Sequence, residues 1–411
     1  MQKRYHFLFT STLLVIFFSS SIIASPGIKK KIELGGLFSI TGGWNTLGRS
    51  SAAAIQLAVE DVNAYFDRIG SSYQVDAIVE DTQLDPKIAL TKLQDLSAQN
   101  VHIVIGPQSS AEVANIKDFA QQHDILILSQ SSTAGSLSIP GDNVFRLCPD
   151  DDLEGEAVSA LMYDDGIRVI VPIWRDDAGN NGLHDATKKH FEGLGGTVSA
   201  GVQYAASTTD FTAAVNDLST QLTTALSGTP ANQVAVYLAG FDEVVSLFQL
   251  ASVNSTLKSV KWYGSDGVAL SNAVLNDSTA ADFANLQDYP NPTFGLDAAA
   301  EPIWKDVAGR IQAITGFAPD AFALGVYDAV WIAARTAALA KGNVSADFVR
   351  NALPEFAGSY FGGTGWTVLN EAGDRRFGNF DYWAIRVVNN NFEWKRVATY
   401  NSASKEIIRF P

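Results

Sequence analysis

The chain has 411 residues, 46% of them hydrophobic and 18% charged, so it can form about two or three domains with large cores and is not an intrinsically disordered protein. Its formal net charge of −15 would repel nucleic acids and anionic membranes, and we expect neither as a partner. The single cysteine, Cys148, excludes an internal disulfide.

The N-terminus is typical of a secretory leader. Two basic residues, Lys3 and Arg4, precede an apolar run over 7–23, and residues 24–26 follow as a processing region. We therefore expect residues 1–25 to be a signal peptide and the protein to be secreted, periplasmic or displayed at the cell surface. The apolar run is also long enough to be kept as a membrane anchor, and this alternative stays open.

The first part of the chain alternates short apolar runs with amphipathic segments. Strands are predicted at 32–40, 75–81, 101–106 and 125–129. A Gly-rich loop is predicted over 41–48, after the first strand. A helix is predicted to follow it, from apolar residues spaced four, three and four apart, and Asp85-Pro86 marks the start of the next helix. This alternation predicts a doubly wound α/β unit.

The same alternation returns in the middle of the chain. Strands are predicted at 167–174, 197–204, 233–240 and 260–267, with helical segments between them. Two such lobes imply a cleft, and ligands of open α/β sheets bind at the carboxyl ends of the strands. We therefore expect a binding site between the lobes.

The rest of the chain does not form a third unit of this kind. The prolines of 288–295 suit a segment that crosses between lobes, and an Ala-rich helical region over 297–341 is expected to pack back on a sheet. From Gly362 onward, turn residues separate alternating runs, which predicts an antiparallel ribbon on the second lobe.

Hydroxyl residues follow two of the predicted strands of the first unit. Ser109 is followed three residues later by Glu112, a spacing typical of a helix N-cap with a capping box. Such a helix start leaves free backbone N–H groups near Ser110, which favour an anionic group such as a carboxylate. Ser132 and Thr133 follow the next strand and offer further N–H and hydroxyl donors. The structural alternative is that Ser109 only caps a helix and that the other hydroxyl groups satisfy a turn.

One carboxylate has the corresponding position in the second unit. Asp266 comes just after the residues WYGS, so it would face the hydroxyl groups across the cleft. A carboxylate there suits an ammonium group and the opposite wall suits a carboxylate, so together they would bind both charges of an α-amino acid. Phe241 and Leu47 would supply apolar walls. The alternative is that Asp266-Gly267 is only a turn and that the two apolar residues belong to the core.

The sequence lacks the common signatures of catalysis. It contains no phosphate-binding loop, no G-x-G-x-x-G after a strand and no G-x-S-x-G elbow. Its histidines do not fall at metal-ligand spacing, and an acidic cluster such as Asp150-Asp151-Asp152 is typical of a solvated loop or a helix N-terminus. We therefore expect a binding protein without a cofactor, not an enzyme.

Several segments, taken in order, resemble one known family. They are LFSITGGWNTLG, DTQLDPKIA, VIGPQSS, ILSQSST, FRL, LAGFDE and GSDG, and the resemblance extends from about Ile32 to Tyr400. The family is the Leu/Ile/Val-binding family of type I periplasmic binding proteins, the extracytoplasmic receptors of ABC importers. The resemblance implies two doubly wound α/β lobes joined by a three-segment hinge, with the ligand cleft between them.

The resemblance also implies a role for each residue of the candidate site. The neighbourhood of Ser110, Ser132 and Thr133 would hold the carboxylate of an amino acid and part of its ammonium group, and Asp266 stands where the family has an acidic residue for the ammonium group. Phe241 stands where the family has an aromatic wall and Leu47 where some members have a tryptophan, whereas Trp44 is displaced from that place. At 175–182 the chain departs from the family pattern, so a wider or more polar side-chain pocket is expected and the ligand is not carried over. The candidate ligand-binding residues are Leu47, Ser109, Ser110, Ser132, Thr133, Phe241 and Asp266.

The expected domain organisation alternates between the lobes. The first lobe would contain 31–146 and 290–372, and the second lobe 147–289 and 373–411. We expect a receptor that captures a small amino-acid-like or amide-like ligand by lobe closure and delivers it to an ABC transporter permease, as a monomer or a homodimer. The alternative is a membrane-anchored sensor of the same fold that reports a ligand to a partner protein.

Overall fold

The computed structural model describes residues 29–340 and 346–410, so the predicted leader lies outside the described residues. The first part of the chain forms the predicted doubly wound unit. Its elements are β1 (Lys30–Phe38), α1 (Asn45–Arg68), β2 (Tyr73–Asp81), α2 (Pro86–Ala98), β3 (Ile103–Ile105), α3 (Ser110–Gln122), β4 (Leu126–Ser129) and β5 (Val144–Arg146). The strands form a five-stranded parallel sheet in the order β2-β1-β3-β4-β5.

Helices cover both faces of this first sheet. Ile103 and Ile105 of β3 pack in one core with α1, while Val104 between them packs in another core with α2 and α3. Successive residues of a strand point to opposite faces, so a run of apolar β-branched residues is what a sheet buried on both sides requires.

The middle of the chain forms the second predicted unit. Its elements are α4 (Asp151–Asp164), β6 (Val169–Asp176), α5 (Ala178–Gly193), β7 (Thr197–Val198), β8 (Val202–Ala205), α6 (Thr212–Gly228), β9 (Val234–Ala239), α7 (Val244–Ala251), β10 (Lys261–Tyr263), α8 (Asn272–Asn276) and α9 (Ser278–Leu286). The parallel sheet has the order β10-β9-β6-β7, and β8 also pairs with β6.

The last part of the chain contributes to both lobes. Its elements are β11 (Asn291–Gly295), α10 (Glu301–Thr315), α11 (Ala321–Leu339), α12 (Ala346–Gly358), β12 (Phe361–Gly362), β13 (Gly365–Trp366), β14 (Asn379–Val388), β15 (Asn391–Asn401) and β16 (Glu406–Arg409). Helices α10, α11 and α12 pack in the core of the first sheet. Helix α11 is long and apolar enough to cross a membrane by length and composition, but 78% of its most apolar stretch is buried inside the protein.

The predicted antiparallel ribbon is the third sheet, which has the order β11-β14-β15-β16. Phe380 and Tyr382 of β14 and Tyr400 of β15 share a core with α4, so the ribbon packs against a helix of the second unit. Strand β11 falls in the range expected for the first lobe, yet it pairs with β14. The predicted ranges of the two lobes stay a prediction.

Two sequence-based element boundaries were wrong. The Gly-rich loop predicted over 41–48 ends at Trp44, and Asn45–Gly48 already belongs to α1. The strand predicted over 197–204 is divided into β7 and β8, because Gly201 between them has a φ of +73°, which a continuous strand does not allow.

Gly48 allows the backbone of the first turn of α1 to lie very close to the segment that follows β1. A Cβ atom on Gly48 would overlap the carbonyl group of Ser39. The backbone of Ser39 is held in place, because its N–H donates to Oε1 of Gln108 over 3.0 Å. We predict that Gly48→Ala lowers the free energy of unfolding by about 1–3 kcal/mol, as overpacking does.

Gly309→Ala is the matched control for this prediction. Gly309 also lies inside a helix, α10, but a Cβ atom there would meet nothing within 4 Å. We expect Gly309→Ala to raise the free energy of unfolding by up to about 1 kcal/mol, because alanine has the higher helix propensity. Urea unfolding of both variants measures the difference, and equal effects would contradict the close approach at Gly48.

Candidate functional site

A small cavity lies between the two lobes, at the carboxyl ends of β1, β3, β4, β6, β9 and β10. Its volume is about 10 Å³, roughly the space of one water molecule, so the walls lie almost in contact in this structure. The first lobe contributes Trp44, Ser109, Ser110, Ser131 and Thr133, and the second lobe contributes Gly179, Asn180, Leu183, Phe241 and Asp266. The site therefore lies where the alternation of strands and helices predicted it.

The start of α3 forms one wall of the cavity. Ser109 is its N-cap, as predicted, and the capping box is complete: the N–H of Glu112 donates to Ser109 Oγ over 3.3 Å, and the N–H of Ser109 donates to Glu112 Oε2 over 3.1 Å. This box uses the N–H groups of Ser109 and Glu112, which leaves those of Ser110 and Ala111 for an acceptor in the cleft. These N–H groups and the helix dipole favour an anionic group.

The hydroxyl of Ser110 organises the neighbouring loop after β4. Its Oγ accepts the N–H groups of Thr133 and Ala134 over 3.2 and 3.1 Å, and the hydroxyl of Ser132 over 3.1 Å. The N–H of Thr133 is therefore used inside the protein and is not the free donor that the sequence suggested. The hydroxyl hydrogen of Ser110, which these contacts do not use, remains to be donated into the cleft.

Asp266 provides the charged group of the opposite wall. It lies in a short 3₁₀ turn directly after β10, and its side chain is 95% buried. The backbone N–H of Asp266 donates to Glu154 Oε1 over 3.0 Å, which fixes the turn on α4. Burial raises the pKa of the Asp266 carboxyl group to about 7, so its carboxylate is held in an environment that disfavours its charge.

Aromatic side chains from both lobes meet at one end of the cavity. Trp44 has a left-handed backbone conformation, with φ of 59°, and its ring lies 4.7 Å from that of Phe241 between centroids. Next to this contact, the N–H of Asn272 donates to the hydroxyl of Thr46 over 3.0 Å across the cleft. The two lobes are thus in contact around the cavity.

Leu47 is not part of the cavity wall. It is buried among the apolar residues that also contain Trp44 and Phe241, and Trp44 lines the cavity instead. The reason is the early start of α1 at Asn45, which turns the side chain of Leu47 into the core.

The start of α5 closes the cavity opposite Ser110. A Cβ atom on Gly179 would lie 3.5 Å from Ser110 Oγ, so even an alanine there would touch the other lobe. Asn180 is held by Asp177, the N-cap of α5, whose carboxylate accepts both the N–H and the side-chain amide of Asn180. The segment that departs from the family pattern thus brings Gly179 and the polar Asn180 to the site, and the expectation of a wider or more polar side-chain pocket stays a prediction.

The structure brings five of the seven predicted residues to the cavity and places the other two behind it. The five are Ser109, Ser110, Thr133, Phe241 and Asp266, whereas Ser132 and Leu47 are buried next to it. The sequence-based site omitted Trp44, Ser131, Gly179, Asn180 and Leu183. Leu183 follows Gly179 by four residues, and this spacing would have placed both residues on one face of a helix. No local pattern in the sequence indicated that the side chain of Trp44 points into the cavity.

No metal site accompanies this cavity in the part of the chain that is described. Within residues 29–340 and 346–410, no group of three or more His, Cys, Asp or Glu side chains is arranged to hold a metal ion. The site offers hydrogen-bond donors on one wall, a carboxylate on the other and aromatic rings at one end.

Comparison with known sequences gives the family of this chain. Residues 31–391 match the model of the periplasmic binding protein family. A protein of Methanocaldococcus jannaschii that is described as uncharacterized is 32% identical over 394 residues, which cover 92% of this chain and 91% of the relative.

Solved structures give the same fold. The leucine-binding protein LivK of Thermotoga maritima is 20% identical, with a TM-score of 0.74 over 91% of this chain and 99% of LivK. The branched-chain amino acid transporter substrate-binding protein LivJ of Streptococcus pneumoniae, solved in complex with isoleucine, is 21% identical, with a TM-score of 0.71 over 90% of this chain and 99% of LivJ. Two α/β lobes around a cleft are the type I periplasmic-binding-protein fold, as predicted. Since the family model spans most of its length, the chain belongs to the periplasmic binding protein family.

Proposed function

We propose that this protein is an extracytoplasmic solute-binding receptor that captures a small amino-acid-like ligand between its lobes and delivers it to an ABC importer. The observation that carries the proposal is that one wall of the cavity offers hydrogen-bond donors and the opposite wall a carboxylate. Free N–H groups and a hydroxyl at the start of α3 face the cleft from the first lobe, and the Asp266 carboxylate faces it from the second. A zwitterion satisfies both walls at once.

Binding would act by closure and not by catalysis. A ligand that touches both walls has a higher affinity for the closed arrangement than for an open one, so it shifts the population toward closure. The contacts between Trp44 and Phe241 and between Thr46 and Asn272 form only when the lobes meet, so they would stabilise the closed form that a permease recognises. A permease partner and export by the N-terminal leader are parts of the proposal.

The cavity favours a ligand with a small side chain. Gly179 and Ser110 approach each other closely, and the aromatic pair closes the other end of the cavity. LivK and LivJ are described as binding leucine and branched-chain amino acids, yet at about 20% identity they support the fold and not the choice of side chain. Small α-amino acids are therefore the first ligands to test.

Thermal unfolding of the purified protein against a panel of compounds tests this function. The panel contains small and branched α-amino acids, their amides, their decarboxylated amines and the corresponding carboxylic acids without an amino group. A ligand that binds only the folded state should stabilise the protein by about 2.7 kcal/mol at a hundredfold excess over Kd. We expect the α-amino acids to raise the midpoint and the three groups of analogues to leave it nearly unchanged, because each analogue lacks one of the two charges.

The controls separate the two walls. A shift by amines alone would support Asp266 but not the start of α3, and a shift by acids alone would support the reverse. Acetamide, which has neither charge, completes the panel. If no compound with both charges raised the midpoint while this neutral amide did, the two-charge site would be wrong.

A further inference from the structure

Behind the wall of the cavity, two further carboxyl groups lie close to Asp266. Asp151 and Glu154, in the first turn of α4, are 2% and 1% exposed. Glu154 Oε1 accepts the N–H of Asp266, and the N–H of Asp151 donates to the carbonyl oxygen of Thr133 over 2.9 Å, so both residues touch segments that form the site. We refer to Asp151, Glu154 and Asp266 as the carboxyl cluster.

Several polar atoms beside this cluster are poorly satisfied. The carboxylate oxygens of Asp151 and the hydroxyl group of Tyr237, which is 1% exposed, make no hydrogen bond of good geometry, although Thr133 lies near Asp151 and Thr187 near Tyr237. The Tyr237 hydroxyl lies in the electrostatic field of all three carboxyl groups. Buried polar atoms without partners are rare in folded proteins and indicate that something else satisfies them.

No salt bridge to Asp151, Glu154 or Asp266 is found within residues 29–340 and 346–410. The charge of Arg146 acts on Asp151, but its guanidinium group donates to the two oxygens of Asp374 over 2.5 and 2.7 Å, and Arg175 donates to Asp177 over 2.8 Å. Two further carboxylates, Asp320 at the start of α11 and Asp177 at the start of α5, add negative field at Asp266. Burial disfavours the charged carboxylates, so protons on the cluster would lower its charge when no ligand is bound.

We infer that an α-amino acid enters this site in exchange for a proton: its ammonium group takes the place of the proton on Asp266, which lies beside the buried carboxyl groups of Asp151 and Glu154. The O–H bond of a carboxyl group breaks, the proton passes to solvent, and the ammonium group pairs with the carboxylate left behind. The net charge at the cluster is the same before and after the exchange. This inference rests on the proposed function, because it requires a ligand with an ammonium group.

The pKa of Asp266 sets the direction of the pH dependence. Burial raises it to about 7 and raises those of Asp151 and Glu154 well above the usual range. A protonated Asp266 is neutral and cannot pair with an ammonium group, so protons compete with the ligand. Affinity should therefore be nearly full above about pH 8, half of its maximum near pH 7, and lower on acidification, by about tenfold per pH unit below pH 6.

Titration calorimetry tests the exchange directly. L-alanine, L-leucine and L-glutamine are suitable probes, because their ammonium and carboxylate groups keep their charges between pH 5 and 8. At pH 7, measurements in phosphate and in Tris should give different binding enthalpies, since the released proton is taken up by buffers of different ionisation enthalpy. We expect release of about half a proton per bound amino acid at pH 7 and more at pH 6, because Asp266 is about half protonated at pH 7.

Asp320→Asn removes a negative charge near Asp266 but keeps the helix cap that Asp320 provides. Asp320 is the N-cap of α11 and accepts the N–H of Ala323 over 2.8 Å, and asparagine caps a helix equally well. Without this negative charge, Asp266 should lose its proton more easily, so the pH midpoint of binding should move to lower pH. A purely structural effect would change the affinity at every pH alike. Asp152→Asn is the control: Asp152 is an exposed residue of α4 that contacts Lys189 and His190 of α5, and its replacement should leave the midpoint unchanged.

The outcomes separate this inference from the proposed function. Amino-acid binding with equal enthalpies in both buffers and a constant affinity between pH 5 and 7 would overturn the proton exchange and leave the proposed function intact. Failure of every α-amino acid to bind at any pH would overturn both. Proton release that persists in Asp266→Asn would place the exchanged proton elsewhere and would also overturn the inference.

Discussion

An Asp266→Asn variant should bind α-amino acids at least about 30-fold more weakly than the unaltered protein, a loss of about 2 kcal/mol or more. The carboxylate is buried in the second wall of the cavity, so asparagine would leave the ligand's ammonium group desolvated without a counter-charge. Isothermal titration at pH 8, where Asp266 is ionised, measures the difference without interference from proton competition.

The same variant should not be less stable. Because burial disfavours the Asp266 carboxylate and raises its pKa to about 7, the ionised group weakens the folded state at pH 8. Asparagine removes that charge, so the unfolding midpoint without ligand should stay the same or rise. A residue that lowers stability while it serves binding is typical of a functional site.

Asp282→Asn is the matched control, because Asp282 is exposed on α9 of the same lobe. Both affinity and midpoint should remain unchanged in that variant. Unchanged affinity in Asp266→Asn would remove Asp266 from the site, and a loss of affinity together with a loss of stability would indicate that it only holds the turn after β10.

The parts of the site that depend on local sequence could be predicted. Ser109 caps α3 through Glu112, three residues later, and such a capping box is readable because both partners lie within one helical turn. The position of Asp266 followed from its place after a buried strand, since the carboxyl ends of parallel strands share one edge of a sheet. The fold class followed from the repeated alternation of strands and helices.

The parts that depend on exact geometry could not be predicted. One extra helical residue changes the direction of a side chain by about 100°, so the early start of α1 decided between Leu47 and Trp44. Likewise, the hydroxyl of Ser110 accepts the N–H groups of Thr133 and Ala134, which are more than twenty residues away along the chain. Partners of this kind are set by tertiary packing and leave no periodic signal in the sequence.

The buried ion pair of Arg146 with Asp374 is a further feature that no local pattern in the sequence predicts. Arg146, at the end of β5, and Asp374 are 228 residues apart, and their side chains are 1% and 2% exposed. Backbone hydrogen bonds flank the pair: the N–H of Arg146 donates to the carbonyl oxygen of Gly373, and the N–H of Arg375 donates to the carbonyl oxygen of Arg146. The end of β5 and the segment around Asp374 are thus tied together here.

Replacing Arg146 with alanine should lower the free energy of unfolding by about 3–5 kcal/mol, because it leaves the buried carboxylate of Asp374 without a counter-charge. Chemical unfolding measures this change. Arg409→Ala is the control, since Arg409 pairs with Asp164 and Asp165 at the surface, where such pairs contribute about 0–1 kcal/mol. Equal losses of stability in the two variants would contradict a buried ion pair between Arg146 and Asp374.

A double variant separates the charge from the packing. Arg146→Met with Asp374→Leu removes both charges together, so it should regain much of the stability that Arg146→Ala loses. Affinity for amino acids should not return with it. Arg146 also donates to the carbonyl oxygens of Ala134 and Ser132, over 2.6 and 3.3 Å, and so holds the loop whose N–H groups converge on Ser110. Recovery of both stability and affinity in the double variant would mean that packing alone positions this loop.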